Sequence, residues 1–330
     1  MKSNNKLKAI ILDKDVCTDI LKSKKLAIIG YGNQGRAQAL NLKDSSFDVC
    51  VGLRGNSNSI SIVKDDDLIN LSIEEAISSC DIISILIPDN SIAEAWKISI
   101  LPYLKKGQTV LFSHGYNVHY KLIDIPEYIN VIMVAPSGGG NLVRSEFKSG
   151  RGVPNLLAVY QDYTSQSDEI VKAYSKAIGG TRICAFYSTF SEETETDLFG
   201  EQAILTGGIP WLLNKSFKVL LEEGYDPVVS WFVCYYELKT IVDLFHHKGF
   251  DYLFDSISDT AKYGGLNKGK FLMDDDFELK LKKMIMDIKS GDFNKELSNV
   301  KNFTKNQSSF KDIEYYTKKI LEILKNQDSN

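Results

Sequence analysis

Three glycines carry the clearest chemistry in this chain. Gly30, Gly32 and Gly35 stand at GxGxxG spacing directly after the apolar run Leu26–Ile29, and an Ala- and Leu-rich helical pattern begins at once, so that residues 25–40 read KLAIIGYGNQGRAQAL. Gly30 permits a tight turn, Gly32 lets the backbone approach a pyrophosphate, and Gly35 lets the helix pack close to the strand. Free N–H groups and the positive helix end then face the phosphates. Glycine turns are common. A buried strand before this one and a helix after it favour dinucleotide binding over a structural turn.

The next chemistry lies past the second strand, expected at residues 47–53. An acidic residue about 20 positions beyond the glycines would bind the ribose 2′-hydroxyl of NAD. Here the position holds Arg54, followed by Ser57 and Ser59. A guanidinium makes bidentate bonds to a phosphate and hydroxyls add donors, which selects NADPH over NADH. The bland alternative is a polar loop with one solvated arginine; its place after strand two favours the 2′-phosphate.

Asp197 and Glu201 are four apart and fall on one helical face. Two such carboxylates can hold a hard cation such as Mg²⁺, although most acidic faces are merely solvated. Leu198, Phe199 and Ala203 beside them suggest an apolar setting. Glu237 lies in an apolar, aromatic-rich stretch with Trp231, Phe232, Tyr235 and Tyr236, where a charge is costly without a metal or a lysine such as Lys239 or Lys215. His114 follows a strand and precedes a glycine, so it is either an exposed loop histidine or a polar group near the nicotinamide. His246 and His247 are adjacent, point to different faces and read as non-ligands.

These residues need elements to place them. Strands are expected at Leu26–Ile29, Thr109–Phe112 and residues 47–53, 81–87, 131–134, 156–160 and 181–186. Ser72 and Glu75 form a capping box for a helix over residues 72–80, and another helix is expected near 91–100. Alternation of this kind argues a parallel, doubly wound sheet, with ligands beyond the carboxyl ends of the strands, where His114 and Ser137 sit. Beyond residue 188 long helical periodicity takes over, at 192–207, 227–247, 277–289 and 313–326, with a polar tail expected to fray. The expected division is a dinucleotide-binding α/β domain over residues 1–187 and an all-α domain over 188–330.

The bulk numbers agree with this outline. The chain has 330 residues, 43% hydrophobic and 25% charged, with a net charge of −4. That balance argues against a general nucleic-acid binder, and no apolar run reaches membrane-spanning length. Residues 1–24 carry little information; the first ten, MKSNNKLKAI, are basic but lack the long apolar core of a signal peptide. Cys17, Cys50, Cys80, Cys184 and Cys234 form no CxxC, and four lie in apolar surroundings. Buried, reduced thiols and a cytoplasmic location are expected.

With these residues in place the chain resembles ketol-acid reductoisomerase, in its short form, over about residues 24–265. The likeness rests on GYGNQGRAQALNL, VGLR with Ser57 and Ser59, HGYNVH, SKAIGGTR, TETDLFGEQ, ELKTIVDL and SISDTA. It implies a Rossmann domain, a knotted helical domain and a homodimer with shared active sites. It also implies conversion of acetohydroxy acids to dihydroxy acids in branched-chain amino-acid synthesis, by a Mg²⁺-assisted alkyl shift and NADPH reduction. The implied cofactor contacts are Gly30, Tyr31, Gly32, Asn33, Gln34, Gly35, Arg54, Ser57, Ser59, Pro88, Asp89, His114 and Gly140. Asp197, Glu201 and Glu237 would serve the metal, and His114, Ser137, Glu237 and Ser258 the reaction, with Ser258 on the substrate carboxylate.

Three positions depart from the family pattern, two of them in the reaction machinery. Ser137, in APSGGG, stands where the family has a lysine, and Val233 stands where it has a second glutamate; Lys262 also replaces a usual Glu. The cofactor half is intact, while the isomerisation half has lost charge and one ligand, which puts the second Mg²⁺ site in doubt. The expectation is a reductoisomerase-like NADPH enzyme. The alternatives are a ketone or imine reductase without the alkyl shift, and a non-catalytic NADPH-binding protein.

Overall fold

A computed structural model describes residues 8–300 and 307–327. The first seven residues and the frayed tail expected at the end fall wholly or partly outside them. Contacts divide the chain into two units, one up to Thr194 and one from Glu195 onward.

The first unit is built on a nine-stranded sheet. Its strands are β1 (Ile10–Ile11), β2 (Leu26–Ile29), β3 (Val49–Leu53), β4 (Ile69–Ser72), β5 (Ile82–Ile85), β6 (Thr109–Phe112), β7 (Asn130–Pro136), β8 (Asn155–Gln161) and β9 (Ala185–Tyr187). In space they run β1-β9-β8-β7-β6-β5-β2-β3-β4. The six from β7 to β4 are parallel and in doubly wound order, with the reversal between β2 and β5. The expected parallel sheet is therefore extended: β8 joins β7 antiparallel, β9 follows β8 in parallel, and β1 closes the edge antiparallel to β9.

Burial explains why these runs become strands. Ala27 and Ile29 pack in one core and Leu26 and Ile28 in another, on opposite faces of the sheet. The helices α1 (Asp19–Lys22), α2 (Asn33–Asp44), α3 (Ile60–Asp65), α4 (Ile73–Ser79), α5 (Asp89–Ala95), α6 (Tyr116–His119), α7 (Gly140–Lys148) and α8 (Ser167–Ala177) accompany the sheet. Ser72 caps α4 in a complete capping box, with its hydroxyl accepting from Glu75 N–H and the Glu75 carboxylate accepting from Ser72 N–H. Residues 181–183, expected as strand, lie largely in a 3₁₀ turn, and the strand begins at Ala185.

The helix α9 (Phe190–Gly200) runs across the boundary. The second unit holds α10 (Gly208–Glu222), α11 (Pro227–Trp231), α12 (Glu237–Ser256), α13 (Asp259–Leu272), α14 (Asp275–Ser290), α15 (Asp292–Asn299) and α16 (Lys311–Gln327). Phe217, Trp231, Ile313 and Ile320 form its buried centre, and Trp231 Nε1 donates to Thr317 Oγ1 at 2.8 Å. The single helix expected over 227–247 is segmented. A π-helical turn over Phe232–Tyr236 separates α11 from α12, and Gly249 breaks α12 with φ +83°.

Candidate functional site

The phosphate loop sits at the reversal point of the sheet. Gly30 has φ +99°, and a Cβ there would lie 2.6 Å from the Leu86 carbonyl oxygen, so the turn tolerates only glycine. A Cβ on Gly35 would lie 2.3 Å from the Gly30 oxygen, which is the close helix–strand contact expected of it. Gly32 differs: a Cβ there would meet nothing within 4 Å. It caps α2 without a side-chain bond, which leaves the first-turn N–H groups to an incoming anion. These features suit a pyrophosphate.

The neighbouring cofactor candidates divide into two groups. Arg54 is exposed just after β3, Ser57 N–H donates to its carbonyl, and the Ser57 hydroxyl accepts from Ser59 N–H at 3.3 Å. Pro88 and Asp89 are exposed at the start of α5, just past β5. Tyr31, Gln34 and Gly140 are instead tied to the protein. Tyr31 is buried and its hydroxyl donates to Asp66 Oδ2 at 2.8 Å. Asp66 also takes both Arg36 bonds, at 2.7 and 2.9 Å, and the guanidinium holds its carboxyl below the usual range. Burial, with the bond to Asp66, pushes the Tyr31 phenol up. Gln34 Nε2 donates to the Gly138 carbonyl at 2.8 Å, which fastens the loop after Ser137 to α2. A Cβ on Gly140 would fall 2.0 Å from the Asn33 oxygen, so α7 leans directly on the phosphate loop.

His114 lies just past β6, and its Nδ1 is 2.9 Å from Glu193 Oε1. The other oxygen of Glu193 accepts from Gly115 N–H at 2.8 Å. Glu193 is almost wholly buried and His114 is half-buried, with its ring stacked on Tyr116. With Glu193 a carboxylate, Nδ1 carries the proton and Nε2 is turned to other partners. Glu193 was not among the residues singled out from sequence. Its signal was available: it stands four before Asp197, at the same spacing that links Asp197 to Glu201. Ser137 is exposed, and its N–H donates to the Pro154 carbonyl.

In the second unit Asp197 and Glu201 are exposed, and a π-helical turn over Glu201–Leu205 begins at the second of them. Glu237 is exposed rather than embedded in an apolar interior, so the burial cost expected for it does not arise within one chain. The expected Lys239 partner pairs with Asp243 instead. Ser258 caps α13, its hydroxyl accepting from Ala261 N–H at 3.2 Å, and its proton is left to donate. Among the described residues, no three His, Cys, Asp or Glu side chains gather as a metal site. Asp197 and Glu201 are hard oxygen donors of the kind Mg²⁺ takes, but two carboxylates do not complete its shell. The expectation of buried cysteines holds for Cys50 and Cys80; Cys17 is exposed, Cys184 and Cys234 are half-buried, and all five are free. No helix among the described residues is long and apolar enough to cross a membrane.

Two family models match the chain: "Acetohydroxy acid isomeroreductase, NADPH-binding domain" over residues 20–184, and "Ketol-acid reductoisomerase, C-terminal domain" over 190–324. A ketol-acid reductoisomerase (NADP(+)) of Pyrobaculum calidifontis is 47% identical over 287 residues, covering 87% of this chain and 88% of that protein. Its counterpart in Saccharolobus islandicus is 46% identical over 296 residues, covering 90% and 88%. Among solved structures, an NADH-preferring ketol-acid reductoisomerase from an uncultured archaeon superposes with a TM-score of 0.91 at 36% identity, covering 95% of this chain and 98% of that one. The Rossmann-type unit followed by a helical unit, expected from sequence, is borne out by this likeness.

Proposed function

The chain belongs to the ketol-acid reductoisomerase family, and on that premise we propose that it reduces a small acetohydroxy-acid or 2-keto-acid substrate with NADPH and Mg²⁺. The observation that carries the cofactor half is Arg54, exposed at the end of β3 beside Ser57 and Ser59. Its guanidinium suits a 2′-phosphate. The close sequence relatives are named for NADP(+), whereas the solved relative is described as NADH-preferring. Arg54 favours the first for this chain.

The chain's own groups divide the work. The first-turn N–H groups of α2 bind the pyrophosphate, and NADPH when bound supplies the hydride. Glu193 fixes the His114 ring through Nδ1, and His114 as the doubly protonated imidazolium gives its Nε2 proton to the substrate oxygen as the ketone becomes an alcohol, leaving the neutral ring with its remaining proton on Nδ1. Asp197 and Glu201 would hold Mg²⁺, with Glu237 contributed by a second copy of the chain, and the ion would supply polarisation of the carbonyl and hydroxyl oxygens. Ser258, with a hydroxyl proton to spare, takes the substrate carboxylate. Ser137 brings a hydroxyl but no charge to its loop, and Val233 brings no ligand.

A homodimer fits the surface of the second unit. Tyr263 and Phe271 are 74% and 76% exposed, and Val229 is 60% exposed, which is costly for a lone chain in water. The division into a cofactor half over 1–187 and a knotted substrate half over 188–330 belongs to the same proposal.

The test is NADPH consumption by the purified protein with Mg²⁺, on 2-acetolactate and on its already rearranged 3-hydroxy-2-keto acid. Turnover of both is expected. Turnover of the rearranged acid alone assigns a reductase that has lost the alkyl shift, and turnover of neither overturns the substrate class.

A further inference from the structure

We propose that Cys50 and Cys80 form a dithiol that small hydroperoxides close to a disulfide, a modification site in the core of the first unit. Their sulfurs lie 3.5 Å apart. Cys50 is the second residue of β3, and Cys80 ends α4 at the corner leading into β5. Both are free thiols and more than nine-tenths buried. A disulfide holds its sulfurs at about 2.05 Å, so closure asks for an approach of roughly 1.5 Å, within reach of side-chain rotation and a small shift of one helix end.

Most buried cysteines are inert small hydrophobes. This pair differs in three ways. The second thiol is already in contact, so an oxidised first thiol can be resolved without opening the core. Cys80 borders a polar cavity of about 300 Å³, also lined by Lys24, Lys105, Lys106 and Gln108, which gives a small polar oxidant a route to it. The lysines favour a thiolate; Asp81 at the same cavity and Asp48 nearby oppose it. Finally, the two thiols are unequal. The contact with Cys50 draws the Cys80 thiol down, whereas that same contact and burial push the Cys50 thiol up.

The cavity assigns the roles, since Cys80 lines it and Cys50 does not. The Cys80 thiolate attacks one peroxide oxygen, the O–O bond breaks, and the leaving oxygen departs as water or an alcohol after taking a proton. Cys80 is then a sulfenic acid. The Cys50 thiol attacks its sulfur, the S–S bond forms, and the hydroxyl leaves as water. Two thiols lose two electrons and one peroxide gains them.

The experiment uses the full chain, reduced, desalted and treated with near-stoichiometric hydrogen peroxide, then blocked with N-ethylmaleimide in denaturant. Peptide mass analysis should show Cys50 and Cys80 joined in one species, with maleimide on Cys17, Cys184 and Cys234. Dithiothreitol should restore all five adducts. In Cys50→Ala the resolving thiol is absent, and dimedone should trap Cys80 as its sulfenic acid. Five adducts after peroxide, Cys80 recovered as a sulfinic acid in the wild type, or a Cys50→Ala protein whose Cys80 takes no dimedone would each overturn the proposal.

Discussion

Adding one methyl group at Gly32 and at Gly140 should have opposite signatures. At Gly32 the new Cβ meets no protein atom within 4 Å and φ is −83°, which alanine accepts readily. The poorer helix cap is offset by the smaller entropy of the unfolded chain, so stability should change by less than about 1 kcal/mol. The methyl instead occupies the approach of the pyrophosphate and lengthens a charge-assisted hydrogen bond. Such a bond is worth about 1.5–3 kcal/mol, so NADPH affinity should fall roughly 10- to 100-fold. At Gly140 the Cβ falls 2.0 Å from the Asn33 oxygen and 2.7 Å from the Gln34 nitrogen, both backbone atoms that cannot swing aside. Overpacking of this kind costs about 1–3 kcal/mol, a fall in Tm of about 2–10 °C for a unit of this size. Thermal melts without cofactor and fluorescence titrations with NADPH separate the two. A Gly32→Ala protein that binds NADPH like the wild type, or melts many degrees lower, refutes the assignment of the phosphate approach. A Gly140→Ala protein with an unchanged melt refutes the packing contact.

Other outcomes follow from the contacts at the site. Arg54→Ala should weaken NADPH roughly 10- to 100-fold while leaving NADH nearly unchanged; equal losses for both cofactors would remove the 2′-phosphate from Arg54. Glu193→Gln keeps one acceptor for His114 but loses the Gly115 bond and the charge, so kcat should drop roughly 10- to 100-fold. Asp66→Asn should destabilise the protein at neutral pH by about 1–3 kcal/mol. The Asp66 carboxyl sits below its usual value in the fold. Its contribution is therefore present above the unfolded value of about 4 and lost as pH falls through the folded value below it, and urea melts at pH 7 and pH 3 should show the gap closing.

The sequence made the interior strands legible because they are buried on both faces and read as unbroken apolar runs. Leu26–Ile29 and Thr109–Phe112 begin and end where expected. β4 went unseen because it is half-exposed and short, and β1 because two residues make no pattern. The phosphate loop was legible since its glycines act through local geometry. Glu193 was legible only as one more carboxylate at helical spacing from Asp197, because its role comes from a contact with a residue 79 positions away. Glu237 misled for a related reason: apolar neighbours along a helix do not say which way one side chain points, and this one points to solvent. Gly140 was read as a cofactor contact, but only the packing shows that it also sets the spacing of α7 against the phosphate loop.

Among the described residues, two of the three π-helical turns adjoin the proposed metal carboxylates: one opens at Glu201 and another closes just before Glu237. In each, an N–H reaches back five residues, from Thr206 to Glu201 and from Glu237 to Phe232, so each segment holds one residue more than an α-helix would. Losing a single residue there would let the ladder relax to α and close the widened turn beside the carboxylate. Val233 can be exchanged without that penalty, since a substitution leaves the count intact. In the history of such a chain, these two places should tolerate changes of letter far more readily than changes of length.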